Sequence, residues 1–97
     1  MSKQHTVIVI LEAKHGKEKE LEQALQAVVA PSRSEKACIE YRLHKNKENS
    51  AQFILYEIWE TQEKHQEQFT KPYIKALADK LADLIEGPYQ AFFAEQI

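Results

Sequence analysis

Thr6-Val7-Ile8-Val9-Ile10-Leu11 sets the architecture of the chain. It is rich in β-branched residues and shows no polar alternation, the pattern of a strand covered on both faces and therefore central in its sheet. Lys14-His15-Gly16-Lys17 breaks that pattern. From Glu18 onward apolar residues recur at Leu21, Leu25, Val28 and Val29, the spacing of one helical face. Pro31 is expected to end this helix, with Ser32-Arg33-Ser34-Glu35-Lys36 as a turn or short helical extension.

Two further strands follow. In Cys38 to His44, Ile39, Tyr41 and Leu43 alternate with Glu40, Arg42 and His44, which predicts one buried and one wetter face. A hydrophilic connection, Lys45 to Ser50, leads to Phe53-Ile54-Leu55-Tyr56-Glu57-Ile58-Trp59, so the two strands are expected to form an antiparallel hairpin. Thr61 suits an N-cap for a short helix over Gln62 to Thr70, and Pro72 suits the first position of another. Ile74, Leu77, Ala78, Leu81, Leu84 and Ile85 form the clearest helical stripe in the chain, with Gly87-Pro88 expected to stop it. Tyr89 to Ile97 reads as a fourth strand.

The order strand, helix, strand, strand, interrupted helix, strand is the split β-α-β arrangement of an α+β, ferredoxin-like fold with a four-stranded antiparallel sheet. All helices would cover one face of that sheet. The first strand is apolar throughout, so its second face also calls for cover, and a homodimer packed through the sheets is the simplest source.

The composition narrows the function. Ninety-seven residues make a single domain, residues 1–97, with room for one site. Thirteen Lys+Arg against fifteen Asp+Glu, a net charge of -2, argue against nucleic acid as a partner. The apolar run Val7–Leu11 is too short to span a bilayer, and no cleavage site is visible near Met1-Ser2-Lys3, so neither membrane insertion nor a targeting segment is expected. One cysteine, Cys38, permits no internal disulfide, and a cytoplasmic location is expected. With two glycines and no Cys-x-x-Cys or His-x-x-x-His, the chain offers no phosphate-cradling loop and no recognisable metal set. No cofactor is expected.

Glu57 is the strongest local oddity, because strand alternation places it on the face of Phe53, Leu55 and Trp59 rather than toward solvent. Burial there raises a carboxyl pKa and makes a proton carrier near neutral pH, unless a neighbouring Arg, Tyr or backbone group simply fixes the acid in the core. Of the four histidines, His5, His15 and His44 read as solvated residues. His65 differs, lying one short helix after Trp59 with Phe69 on the same helical face at i+4. Cys38 reads as a small packed residue rather than a nucleophile.

Several segments together resemble the antibiotic biosynthesis monooxygenase family, small dimeric α+β barrels that include quinol monooxygenases. These are Gly16-Lys17-Glu18, Ala30-Pro31-Ser32-Arg33, Glu35 and Cys38 with Tyr41, Tyr56-Glu57-Ile58-Trp59, and Thr70-Lys71-Pro72-Tyr73. The resemblance implies oxidation of a small aromatic, phenolic or quinol-like substrate by molecular oxygen without flavin, haem or metal. It implies that Trp59 packs on the substrate, Glu57 orients or accepts a proton, and Tyr73 hydrogen-bonds a substrate oxygen. Family members often carry histidine at the positions of Gln68 and Tyr73. Glutamine is no base at neutral pH, so His65, one turn earlier, becomes the candidate imidazole, with Phe69 and Gln68 beside it as substrate contacts. The residues are also compatible with two alternatives. One is a non-catalytic dimeric barrel that binds a small metabolite or acts as a stress-associated module. The other is an enzyme processing a small signalling molecule, such as a phosphorylated autoinducer, for which Arg33 and Arg42 are the only arginines.

Overall fold

The computed structural model describes residues 4–97. Met1, Ser2 and Lys3, part of the stretch read for a targeting signal, lie outside the described residues. The elements run β1 (His5–Glu12), α1 (Glu18–Gln26), α2 (Val29–Arg33), β2 (Cys38–Lys45), β3 (Gln52–Trp59), α3 (Gln62–Glu67), a 3-10 turn (Gln68–Thr70), α4 (Pro72–Leu84) and β4 (Gln90–Ala94). The four strands form one antiparallel sheet in the order β2-β3-β1-β4, the ferredoxin-like arrangement expected.

β1 lies between β3 and β4, as its apolar sequence requires. Its two faces differ. Val7 and Leu11 are fully buried under the helices, whereas Thr6, Ile8 and Ile10 on the opposite face are only half-buried. The core gathers Val7, Leu11, Leu21, Leu25, Phe53 and Trp59 between sheet and helices. Each such side chain contributes about 1.5–3 kcal/mol by leaving water, so this layer holds the scaffold on which the site is built.

Several expectations about boundaries are corrected. The first helix breaks at Ala27-Val28, not at Pro31, and Pro31 sits inside α2. It falls in that helix's first turn, where a backbone N–H has no intrahelical acceptor to lose. α4 ends at Leu84, before Gly87, because Ile85 turns extended and bridges to Ala13 of the β1 end. Gly87 keeps the left-handed φ of 69° but serves the turn into β4. Ile39, expected to be buried, is 46% exposed, because the β2–β3 register shifts between Cys38 and Glu40. That bulge is also what lets Cys38 and Tyr41, three residues apart, both face the helices opposite Trp59 and Glu57.

Candidate active site

β3 alternation sends Phe53, Leu55, Glu57 and Trp59 under the helices, and Glu57 is only 3% exposed. Trp59 Nε1–H donates to Glu57 Oε1 at 2.9 Å. Loss of solvent pushes the Glu57 carboxyl up from 4.5 to about 7, partly opposed by that hydrogen bond, which favours the charged form. The acid therefore exchanges its proton in the neutral range. Burial and the facing Glu57 also hold the Tyr41 hydroxyl well above its ordinary value and push the Cys38 thiol up to about 11. Cys38 is thus a protonated packing residue.

His65 reaches the same place from α3, whose N-terminus is set by Thr61 Oγ1 accepting from Lys64 N–H at 3.1 Å. Its Nε2 lies 3.7 Å from Glu57 Oε1, and its ring packs 5.3 Å from Trp59 and 5.2 Å from Phe69 between centroids. The side chain is buried, and desolvation, aided by nearby His5, lowers its pKa to about 4. At neutral pH the imidazole is uncharged and retains a lone pair for a proton.

His5 is a site residue that sequence reasoning missed. Expected to be solvated, it is 8% exposed and stands opposite Trp59 in the β1–β3 register. Its ring packs 4.8 Å from Phe93 and 5.2 Å from His65. The available signal was alternation: extending Val7, Val9 and Leu11 back by two residues places His5 on the same inner face. His15 and His44 are exposed, as expected.

Glu57, His65 and Phe69 line a cavity of about 230 Å³ between the sheet and α4, with Leu55, Leu77 and Phe93 among its other walls. Its lining is mostly apolar with the acid at one side, the make-up of a small-molecule site, and its volume lies below the roughly 300–1,000 Å³ of drug-sized ligand sites. Phe69 is half-exposed at this cavity.

The remaining expected residues are placed differently. Trp59, expected to pack on a ligand, is 1% exposed and does not line the cavity; its indole N–H holds Glu57 instead. Gln68 touches the cavity, yet its amide donates to Ser32 Oγ at 2.9 Å and to the Tyr73 hydroxyl at 3.4 Å. Tyr73 O–H in turn donates to Glu35 Oε2 at 3.0 Å, and Tyr73 lies outside the cavity wall. The two arginines are also occupied: Arg33 Nε donates to the Tyr41 carbonyl at 2.9 Å and Arg42 pairs with Glu40 at 2.7 Å. No group of three or more His, Cys, Asp or Glu among the described residues is placed to hold a metal ion. No described helix is long and apolar enough to cross a membrane.

These features define a small ferredoxin-like α+β protein with a buried acid beside an apolar cavity. The chain belongs to the antibiotic biosynthesis monooxygenase family, whose model matches residues 4–80. Among solved structures, PA3566 from Pseudomonas aeruginosa superposes with a TM-score of 0.95 at 26% identity, covering 100% of this chain and 97% of that one. SO0527 from Shewanella oneidensis gives a TM-score of 0.92 at 21% identity over 99% and 93% of the two chains. A structure described as an antibiotic biosynthesis monooxygenase gives 0.90 at 14% identity over 96% and 98%. The last two show likeness of fold. In sequence, the chain is 28% identical over 78 residues to sll1783 from Synechocystis, a protein described as uncharacterized. The match takes in 80% of this chain and 53% of sll1783, so the chain spans about half the length of that curated relative.

Proposed function

We propose that this protein is a cofactor-independent monooxygenase that oxidises a small aromatic, phenolic or quinol-like molecule with molecular oxygen, working as a homodimer. The observation that carries the reading is Glu57, a carboxyl with a pKa of about 7 on the wall of an apolar cavity. A base poised near the working pH combines a large unprotonated fraction with enough driving force to take a proton.

The chemistry needs little else. Glu57 carboxylate removes a proton from a phenolic O–H or from a ring CH2 activated by a neighbouring carbonyl. The anion passes one electron to O2, and the superoxide formed recombines with the substrate radical at carbon to give a peroxide. Glu57 returns its proton to the peroxide and then, as the carboxylate, takes the remaining proton from that carbon as the O–O bond breaks, leaving a ring carbonyl; the departing hydroxide takes this proton from Glu57 and becomes water. One oxygen atom stays in the product, the other leaves as water, and all four electrons come from the substrate. The apolar walls keep bulk water from the radical pair. Neutral His65, 3.7 Å from the acid, is the second proton carrier.

A phosphorylated signalling molecule is a poorer occupant, since no arginine or lysine lines the cavity to clamp a phosphate. The test is oxygen uptake by the purified protein over a panel of anthrones and hydroquinones. We expect saturable turnover with at least one two- or three-ring substrate, reduced at least tenfold in Glu57→Gln, which corresponds to roughly 1.4 kcal/mol in the barrier. Uptake no faster than the uncatalysed rate across the panel would overturn the proposal, and so would full activity in Glu57→Gln.

A further inference from the structure

Two buried side-chain atoms lack any hydrogen-bond partner among the described residues, His5 Nε2 and His65 Nδ1. They belong to rings that touch each other, 5.2 Å apart between centroids. An unpaired polar atom in a buried setting costs about 1–3 kcal/mol, so two on neighbouring rings mark a place for a shared polar group. The rings also face different spaces. His65 lines the inner cavity with Glu57, whereas His5 lines an open groove on the outside of the protein with Gln4, Gln62 and Glu95. Phe93 lines both spaces and packs against both rings.

We propose that His5 and His65 form a proton relay joining Glu57 to solvent, through one water held between His5 Nε2 and His65 Nδ1. The use of the relay in turnover rests on the monooxygenase reading, but its existence does not. Glu57 gives its proton to His65 Nε2 as His65 Nδ1–H passes one to the water, the water protonates His5 Nε2, and His5 Nδ1–H is released into the groove. Each imidazole gains and loses one proton, so neither becomes charged and both change tautomer. The reverse sequence reloads Glu57. Closing the 3.7 Å gap between Glu57 and His65 to hydrogen-bond length needs a movement of roughly 0.7 Å.

The charged and titratable groups facing the relay are few. Glu57 approaches from β3 and Glu63 acts on His5 from α3, while Glu95 lies along the groove just after β4. Tyr41 and Cys38 face Glu57 from β2, and both hold their protons through the neutral range. Among the described residues, His65 is the group in contact with Glu57 whose ring also packs against His5 at the outer groove.

The experiment follows the protonated-carboxyl infrared band of Glu57 after a rapid jump from about pH 6 to about pH 8, across the titration of the acid, with no substrate present. Glu57→Gln identifies the band. In His5→Phe, which keeps a ring against Phe93 and His65, and in His5→Gln, which keeps a hydrogen-bonding group but cannot carry a proton in this way, the band should decay at least tenfold more slowly. Free imidazole should restore the rate in His5→Ala, a rescue that a purely structural role does not predict. Unchanged decay in a folded His5→Phe or His5→Gln would overturn the relay. A high-resolution map of the wild-type protein tests the geometry without any variant. Density for a water bonded to both nitrogens is expected, and the Phe93 ring interposed between them would overturn the proposal. Because no substrate is used, an intact relay in a protein without oxygen uptake would sink the monooxygenase reading alone.

Discussion

The indole N–H of Trp59 is bonded to the carboxyl of Glu57, two residues earlier on the same strand face, at 2.9 Å. Period-two geometry brings the pair together, and burial of both isolates it from water. Trp59 is thus the donor that keeps a desolvated carboxyl from moving still further up the pH scale. The consequences for stability and turnover separate cleanly.

Stability should fall between acid and neutral pH because of Glu57. Its pKa rises from 4.5 to about 7 on folding, so the folded state binds this proton more tightly than the unfolded chain. The resulting stabilisation is complete below pH 4.5 and is lost as pH rises through about 7. Glu57→Gln stays neutral and keeps an acceptor for Trp59. Its melting temperature should therefore exceed that of the wild type more at about pH 8 than at about pH 5, a difference on the order of 2–3 kcal/mol. Parallel melting curves across this range would contradict the shift.

His65 should act on the acid side with the opposite slope. Its pKa is lowered from 6.5 to about 4, so the folded state disfavours the charged imidazole and loses stability as pH falls through that interval. His65→Phe keeps an aromatic ring beside Phe69 and Trp59 and should flatten this limb in thermal melts. A wild-type and variant pair that lose stability equally on acidification would rule it out.

Two substitutions at Trp59 should give different outcomes. Trp59→Phe removes the N–H but keeps most of the ring, so the Glu57 titration, followed by its infrared band, should move upward with modest loss of stability. Trp59→Ala empties a fully buried site and should cost about 3–5 kcal/mol in denaturant unfolding. An unmoved Glu57 titration in Trp59→Phe would mean that the hydrogen bond does not set the acid's pKa.

Phe69 and Tyr73 provide a contrast between cavity and scaffold. Phe69→Ala removes a cavity wall and should raise KM several-fold, whereas Tyr73→Phe breaks the contact to Glu35, costing about 1 kcal/mol of stability without changing KM. Steady-state kinetics and melting of the two variants test this, and an increase in KM for Tyr73→Phe would return that hydroxyl to the substrate.

The homodimer should form through the outer sheet face. Register places Phe92, Ile8 and Tyr56 in one row there, with Ile10 beside Ile54 in the next. Sedimentation should show a dimer for the wild type and a folded monomer for Ile8→Asp, which buries a charge in the contact. A monomeric wild type at micromolar concentration would remove the dimer from the proposed function.

Local periodicities and the order of elements are legible in the residues alone. The unbroken Thr6–Leu11 run marked the central strand, the stripe from Ile74 to Leu84 marked α4, and alternation from Phe53 to Trp59 already turned Glu57 inward. Each of these depends on neighbours within one strand or a few helical turns. Which side chains meet across elements emerges with the packed fold. His5 looked solvated because its cover comes from His65 and Phe93, which are brought over it by the packing of α3 and the pairing of β4. The hydrogen bond from Tyr73 to Glu35, thirty-eight positions away, is likewise invisible to local spacing. The end of α4 was decided in the same way, by the bridge from Ile85 to Ala13 rather than by the glycine beyond it. Strand register, bulges and helix docking are fixed by the summed burial of many distant side chains, so a partner's identity is not encoded in the few residues around each position.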